Sequence, residues 1–260
     1  MYGVKRTIKS LSKASDTNRN EQFEKINNLV ASFIKSSNPV ISVDAKKKEQ
    51  VGKFKNSGQT WRKSNDPKKV EDHDYKSRSS GDAIPYGTYD VKRNEGFVNV
   101  SISKNTAEFA VNSIVLWWKK IGRKNYPNAK KILLCADGGG SNGSTNKLWK
   151  VCLQDFANAS GLKIYICHYP PGTSKWNKIE HRMFSYISIN WRGVPLESYE
   201  TIINLISNTR TKTGLKIKAQ MDTSQYESGI KISDEELSEI NIKYDDTLPK
   251  WNYVISPRKL

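Results

Sequence analysis

The chain has 260 residues, of which 36% are hydrophobic and 10% aromatic, so it can bury a full core, and disorder along its whole length is excluded. Its formal net charge is +17 and its pI is near 9.6. Such a charge favours a polyanionic partner, because lysine and arginine release the counterions condensed on phosphates. A merely soluble basic protein is the alternative.

The positive charge is concentrated at the front, where residues 1–70 hold 16 Lys and Arg against 6 Asp and Glu. No apolar run approaches the ~18 residues of a membrane span, and the amino terminus lacks the hydrophobic region of a signal peptide. Cys135, Cys152 and Cys167 have no ligand spacing, which indicates thiols of a reducing compartment. We therefore expect a cytoplasmic protein with no membrane partner.

The first predicted elements follow a basic segment. Residues 21–36 place apolar side chains at helical spacing, so residues 1–37 are predicted to be a basic linker and a helix. Residues 39–44 form a short β-branched strand that closes on Asp44. Residues 51–54 and 59–62, with a turn between them, predict a hairpin that continues from this strand.

The middle of the chain begins with a polar stretch. Residues 66–93 are rich in Gly, Pro and Ser, which predicts a surface loop with room for a short strand at 83–89. Residues 97–103 alternate apolar and polar side chains, as a half-buried strand does. Asn105 and Glu108 are typical of a helix start, and Gly122 is predicted to end that helix.

The run KILLCAD, residues 131–137, predicts a strand that ends on Asp137 and is followed by the glycine-rich GGGSNG. A helix at 146–160 and a strand at 162–168 come next. Helical spacing then resumes around Glu180, where the apolar positions are Trp176, Ile179, Met183 and Ile187. Further helices, at 196–207 and after Ser233, predict a mostly helical extension.

This order of elements predicts the fold. Three hairpin-linked strands, followed by helix, strand, helix, strand and helix, are typical of a ribonuclease H-like fold, although other mixed α/β domains share that order. We predict an α/β protein with a ribonuclease H-like mixed sheet flanked by helices over residues 38–195. A small, mostly helical carboxyl-terminal extension covers residues 196–260.

Three acids are the candidate catalytic and metal-binding residues. Asp44 and Asp137 end separate strands and Glu180 lies on the closing helix, so all three can meet at one edge of the sheet. Carboxylates without a His or Cys cluster suit two Mg²⁺ or Mn²⁺ ions, which support in-line displacement at phosphorus. Taken singly, the two aspartates could instead cap turns, and Glu180 could be a solvated helical residue.

Basic side chains flank these acids, which suggests contact with an anionic substrate. Trp176 could stack on a nucleic acid base or anchor the start of its helix in the core. The predicted DNA-binding residues are Lys46, Lys47, Lys48, Lys53, Lys55, Lys175, Trp176, Lys178 and Arg182.

Four segments carry a resemblance to a known family. They are SVDAKKKEQVGKFKNSG, IPYGTYDVKRNEGFVNV, LLCADGGGSNG and CHYPPGTSKWNKIEHRMFSYISINWRG. The chain resembles the catalytic region of the Rhodopirellula-type DDE transposases of bacterial insertion sequences, distant relatives of the mariner-like elements. The similarity runs from about residue 15 to the end, and PPGTSKWNKIE occupies the place of the Pro-rich, Asn-containing segment before the last acid.

The resemblance implies a DDE triad on Asp44, Asp137 and Glu180. It also implies two divalent ions, hydrolytic nicking at the element's ends, and attack of the freed 3′-hydroxyl on target DNA. Homo-oligomers on DNA and a place at the bacterial nucleoid are further expectations. Family members usually carry an amino-terminal helix-turn-helix region, whereas here a short basic segment precedes the core. A catalytically silent DNA-binding remnant and a ribonuclease H-like nuclease are therefore kept as alternatives.

Overall fold

A mixed β-sheet organises the chain in the computed structural model, which describes residues 18–61, 63, 65, 67–173 and 176–258. Within these residues the sheet has nine strands. They are β1 (Val40–Ala45), β2 (Glu49–Val51), β3 (Gly81–Asp90), β4 (Glu95–Ser101), β5 (Lys131–Asp137), β6 (Lys163–Tyr169), β7 (Lys216–Asp222), β8 (Ile242–Tyr244) and β9 (Asn252–Ile255).

Helices pack on both faces of this sheet. They are α1 (Arg19–Lys35), α2 (Ala107–Trp117), α3 (Arg123–Asn125), α4 (Lys147–Ser160), α5 (Ser185–Asn190), α6 (Tyr199–Ser207) and α7 (Asp234–Ser238). A π-helical turn, Glu180–Phe184, leads directly into α5. We call residues 178–190 the Glu180 helix.

The strand order is β7-β4-β3-β1-β5-β6-β9-β8, with β2 paired to β3. Strands β1, β3 and β4 pair antiparallel, and β5 and β6 continue the sheet parallel to β1. The predicted ribonuclease H-like mixed sheet is therefore confirmed. Along the chain, α2 connects β4 to β5 and α4 connects β5 to β6. Both helices pack on the same face of the sheet.

The predicted hairpin after β1 is wrong. β2 has only three residues, Gln59 to Trp61 are not in a strand, and Arg62 lies outside the described residues. The antiparallel neighbour of β1 is instead the ten-residue β3, where a loop with at most a short strand was expected. Pro85 and Gly87 made the full length of β3 hard to predict, because both residues are unfavourable in a strand interior.

Two features of the predicted α2 also differ. The N-cap is Thr106, whose side chain accepts from the Phe109 N–H, and not Asn105. Gly122 does not end the helix, which continues through a π-helical turn, Trp118–Gly122, into α3. A Cβ on Gly122 would lie 2.9 Å from the Trp117 ring, so this glycine gives room to a tryptophan. The helix predicted at 146–160 is α4, with Asn146 as its N-cap, and it ends at Gly161 in a left-handed conformation.

The carboxyl-terminal region contains more strand than predicted. β7 pairs parallel with β4, and β9 pairs antiparallel with β6, so residues after 195 widen the sheet at both edges. The helices α6 and α7 are present, and α7 has the capping box at Ser233. The expectation of a mostly helical extension was therefore wrong, because these short strands lack the strong alternation that identifies a strand in a sequence. The domain boundaries stay a prediction.

Side-chain alternation divides the core into layers. Ile41 and Val43 point to the face covered by α2 and α4, whereas Val40 and Leu133 point to the face covered by α1. On that second face the Glu180 helix and α6 pack over β3 and β4. Within the described part of the chain, no helix is both long and apolar enough to cross a membrane.

The Glu180 helix lies close to β3 because Gly87 has no side chain. A Cβ built on Gly87 would lie 2.6 Å from both Met183 Cε and Phe184 Cε1. Gly87 is the register partner of Asp44 on β1. The glycine therefore lets the helix that carries Glu180 pack beside the strand that carries Asp44.

Replacing Gly87 should test this packing. We expect Gly87→Ala to lower the free energy of unfolding by roughly 1–3 kcal/mol, since the added methyl group overpacks the core. Gly139→Ala is the matched control, because its added Cβ meets nothing within 4 Å and its φ is −129°. Urea denaturation measures both variants, and equal stability of the two would contradict the proposed close approach.

Candidate active site

Asp44 and Asp137 lie at neighbouring positions on adjacent parallel strands. The register pairs Val43 of β1 with Ala136 of β5, and each aspartate is the next residue of its strand. Residues paired in register point to the same face of a sheet, and strands lie ~4.8 Å apart. Both carboxylates therefore leave the same edge on the same face, opposite to the face where Val43 and Ala136 are buried.

Asn177 joins both strands to the segment before Glu180. This side chain is fully buried. Its Nδ2 donates to Asp137 Oδ1 at 3.2 Å and to the Val43 carbonyl at 3.4 Å, and its Oδ1 accepts from the Ser42 hydroxyl. One amide thus fixes the position of β1 and orients the carboxylate at the end of β5.

Ser42 attaches the start of the Glu180 helix to β1. The backbone N–H of Ile179 donates to Ser42 Oγ at 3.0 Å. An N–H in the first turn of a helix has no partner within the helix, so a side-chain acceptor is needed there. This bond holds the residue next to Glu180 against the strand of Asp44.

The three predicted acids influence one another electrostatically. Burial, and then the Asp137 carboxylate, raise the pKa of Asp44 to about 8, although the Ala45 N–H donates to Asp44 Oδ1 at 2.8 Å. Burial also raises the pKa of Asp137. The pKa of Glu180 is raised by burial and by Asp137, and Lys46 opposes this effect. Each of the three carboxylates therefore lies within electrostatic reach of another.

Whether the three acids suit a metal ion depends on the type of donor atom that their side chains offer. Within residues 18–61, 67–173 and 176–258, no three His, Cys, Asp or Glu side chains are already arranged as a ligand set for a metal. The three carboxylates are nevertheless hard oxygen donors, the type that Mg²⁺ and Mn²⁺ prefer. A divalent cation would offset the repulsion and the burial that raise their pKa values. The residues present therefore fit such an ion by chemistry.

The glycine-rich segment after β5 is attached to β3. Its residues Gly140–Asn142 form a single 3₁₀ turn, and the Tyr86 hydroxyl donates to Asn142 Oδ1 at 2.8 Å. Tyr86 and Asn142 are both buried, so this bond is shielded from water. Gly140 has φ +63°, a left-handed conformation that glycine adopts without strain. The loop beside Asp137 is thus held at a defined place.

The basic residues predicted to bind DNA differ in their surroundings. Lys46 is ion-paired with Glu49 at 3.1 Å, and its Nζ lies 4.3 Å from the Trp191 ring centroid. Lys48 pairs with Asp82 at 2.9 Å. Lys47, Lys53, Lys55 and Arg182 are exposed, Lys178 is half-buried, and Lys175 lies outside the described residues.

Trp176 does not anchor its helix in the core, because 57% of it is exposed. Its ring contacts Phe23 of α1 edge-on, with centroids 5.9 Å apart. A cavity of about 490 Å³ opens among Lys47, Lys48 and Lys55, on the chain that follows Asp44. Contact of these residues with DNA stays a prediction.

Sequence reasoning missed Ser42, Asn177 and His168 as residues of the site. The only signal for Asn177 was its place in the Pro-rich segment before Glu180. His168 is fully buried, and burial lowers its pKa to about 4, so it is neutral near pH 7. Its Nδ1 lies 3.1 Å from the Asp137 carbonyl oxygen.

Removing one buried charge should stabilise the metal-free protein. We expect Asp44→Asn to raise Tm by about 2–4 °C at pH 8, the shift that ~1 kcal/mol gives a chain of this size. Asparagine keeps the acceptor for the Ala45 N–H and removes the charge.

The pH dependence gives this prediction its sign. The pKa of Asp44 rises from 3.8 to about 8 on folding. The loss of folding stability caused by its ionisation is therefore absent below pH 3.8 and grows until about pH 8. The gain in Tm should therefore vanish in acid. Asp155→Asn, at an exposed position of α4, is the control and should change Tm little. A Tm of Asp44→Asn below that of the wild type at pH 8 would count against a strained carboxylate cluster.

The fold was compared with solved structures and the sequence with curated proteins. No curated protein matches. Similar solved structures include the Mos1 transposase paired-end complex with the left transposon end, the Mos1 mariner paired-end complex with Mn, and the Mos1 strand transfer complex. Their TM-scores are 0.49, 0.47 and 0.47, each with 10% sequence identity over 78% of this chain. This chain spans 56% or 57% of the Mos1 chains.

The family comparison covers almost the whole sequence. A family model described as "Rhodopirellula transposase DDE domain" matches residues 1–257. That range contains β1 with Asp44, β5 with Asp137 and the Glu180 helix. The resemblance carried by the four motifs is thus confirmed, and the chain belongs to the Rhodopirellula transposase DDE domain family.

Proposed function

We propose that this chain is the catalytic region of a DDE transposase that cleaves DNA at the ends of an insertion sequence and transfers the freed strand to target DNA. The observation that supports this most is that Asp44 and Asp137 end adjacent strands on the same face, with the buried Asn177 bonded to Asp137 just before the Glu180 helix. Family membership gives independent support.

Asp44, Asp137 and Glu180 are the residues that would hold divalent ions, for which we propose two Mg²⁺ or Mn²⁺. When bound, such ions activate an attacking oxygen and neutralise the leaving oxygen at phosphorus. The chain's own residues would provide the orientation: Asn177 holds the Asp137 carboxylate, and Ser42 holds the start of the Glu180 helix.

The reaction has two displacement steps. In the first, water attacks a phosphodiester at the element's end, which breaks one P–O bond and leaves a 3′-hydroxyl. In the second, that hydroxyl attacks a target phosphodiester, so one bond to phosphorus forms while another breaks. No covalent bond to the protein is needed, and the site accordingly relies on carboxylates and positioning residues.

The proposed partners of this chain follow from its positive charge and from the two ends of an insertion sequence. The net charge of +17 suits DNA, and the exposed Lys47, Lys53 and Lys55 follow Asp44 in the sequence, with Lys47 and Lys55 lining one cavity. Because an element has two ends, we propose that the chain acts as a homo-oligomer on DNA, at the bacterial nucleoid. Of the other predicted contacts, Lys46 and Lys48 would bind DNA only after exchanging their present acidic partners.

Catalysis can be tested with a plasmid that carries the gene and its flanking DNA. We expect the wild type to nick the element's ends in Mg²⁺, and Asp137→Asn to be more than ~100-fold slower, since even residues that only support a metal ligand cost 10–100-fold. Asp155→Asn should retain full activity. Equal nicking by the wild type and Asp137→Asn would rule out this mechanism.

The same assay separates the two alternatives. Salt-sensitive DNA binding without any metal-dependent product would indicate a catalytically silent remnant. Faster turnover of an RNA:DNA hybrid than of element ends would indicate a ribonuclease H-like nuclease.

DNA contact can be tested through salt dependence. We expect the double variant Lys47→Gln/Lys55→Gln to bind DNA more weakly and to reduce the slope of log K against log [salt] by about 2, because each phosphate contact contributes about 0.9. Lys119→Gln/Lys124→Gln makes the same charge change at exposed positions near α2 and α3. This control should leave the slope nearly unchanged, and equal effects of the two pairs would refute a DNA path beside Asp44.

A further inference from the structure

A line of buried hydrogen bonds links the last strand of the sheet to the backbone of Asp137. Trp149 Nε1–H donates to the Tyr253 hydroxyl at 3.1 Å, and that hydroxyl lies 3.0 Å from His168 Nε2. At the other side of the imidazole ring, Nδ1 lies 3.1 Å from the Asp137 carbonyl oxygen. The line thus runs from α4 through β9 and β6 to the carboxyl end of β5.

The Asp137 carbonyl at one end of this line and the Trp149 N–H at the other set the direction of every hydrogen bond between them. A carbonyl oxygen only accepts, so His168 Nδ1 carries the proton and donates to Asp137. A neutral imidazole then offers Nε2 as an acceptor, which takes the Tyr253 hydroxyl proton. The tyrosine oxygen is left free to accept from Trp149. All three links are compatible in this one arrangement.

Burial makes this arrangement rigid. Trp149 and His168 are 0% exposed and Tyr253 is 2% exposed, so water does not compete for the two bonds of the Tyr253 hydroxyl. A buried polar group that loses its partner destabilises the fold. The imidazole ring is therefore held at both nitrogens.

The end of β6 is also held by backbone bonds. The His168 N–H donates to the Trp251 carbonyl at 2.8 Å, and Gln22 Nε2 of α1 donates to the His168 carbonyl at 2.8 Å. The ring of His168 thus projects from a backbone held from both sides. Asp137 itself is fixed at two points, its side chain by Asn177 and its carbonyl by His168.

We propose that His168, held by Tyr253 of the carboxyl-terminal strand, is a positioning residue that orients the end of β5 so that the Asp137 carboxylate can bind a divalent ion. This inference rests on the proposed function. It gives residues 196–260 a role at the site, because β9 supplies the hydroxyl that fixes the imidazole. Groups that support a metal ligand typically change metal affinity 10–100-fold when they are removed.

Two amide substitutions separate the two nitrogens of the ring. The amide of His168→Asn can occupy the place of Nδ1 and still donate to Asp137, but it does not reach Tyr253. The amide of His168→Gln reaches the place of Nε2, so it keeps the tyrosine and loses the Asp137 carbonyl. Tyr253→Phe removes only the hydroxyl.

Mn²⁺ affinity of the full chain, measured by electron paramagnetic resonance, is the main readout, with Tm and DNA affinity measured in parallel. We expect His168→Gln to bind Mn²⁺ 10–100-fold more weakly, and His168→Asn, which keeps the Asp137 bond but loses the Tyr253 bond, to be weakened less. Tyr253→Phe should weaken Mn²⁺ binding as well. DNA affinity should be unchanged in all three variants.

Tyr126→Phe is the matched control, since this buried hydroxyl donates to Asp90, away from the site. It should lower Tm as Tyr253→Phe does, and leave Mn²⁺ affinity unchanged. Unchanged Mn²⁺ affinity in His168→Gln and in Tyr253→Phe would overturn the inference while the proposed function stands. A wild type that binds no Mn²⁺, or binds it equally well after Asp137→Asn, would overturn the proposed function and this inference together.

Discussion

The buried amide of Asn177 is the contact on which the arrangement of the site depends. It bonds to the Asp137 carboxylate, the Val43 carbonyl and the Ser42 hydroxyl, and thereby joins two strands to the segment that precedes Glu180. No other side chain described here spans these three parts with one functional group. Gly87 complements it, because the missing side chain leaves room for the Glu180 helix beside β1. Together they bring residues far apart in the sequence to one sheet edge.

This arrangement opposes the stability of the metal-free fold. Carboxylates that are partly buried beside one another are costly when charged, which is why the pKa of Asp44 rises to about 8. Active sites commonly tolerate such strain because the surrounding structure holds it in place. Here that structure includes the Tyr86–Asn142 bond on the glycine loop and the imidazole of His168 behind Asp137. A bound cation would offset the repulsion between the carboxylates, and the relief of that repulsion would add to the affinity for the cation.

Much of the sheet could be predicted from the sequence. The predictions that failed did so because contacts between distant parts of the chain decide the structure there. KILLCAD is a continuous apolar run, as expected for a strand buried on both faces, and it coincides with β5. β3 was expected only as a short strand at 83–89 within a loop, because Gly87 serves the packing of a distant helix and Pro85 offers its carbonyl to the Lys46 N–H. The positions of Asp44 and Asp137 at strand ends could be predicted because an apolar run that closes on an acid is visible in a sequence. Asn177 and His168 could not, since their partners are set by strand register.

We propose that Asp44, Asp137 and Glu180 together bind divalent ions at the edge of the sheet. Crystals of the full chain grown with Mn²⁺, measured at a wavelength near the manganese absorption edge, test it most directly. We expect anomalous density in contact with the Asp44 and Asp137 carboxylates, with Glu180 as a further ligand. Ordered carboxylates with no anomalous density between them, or density only at other residues, would contradict it.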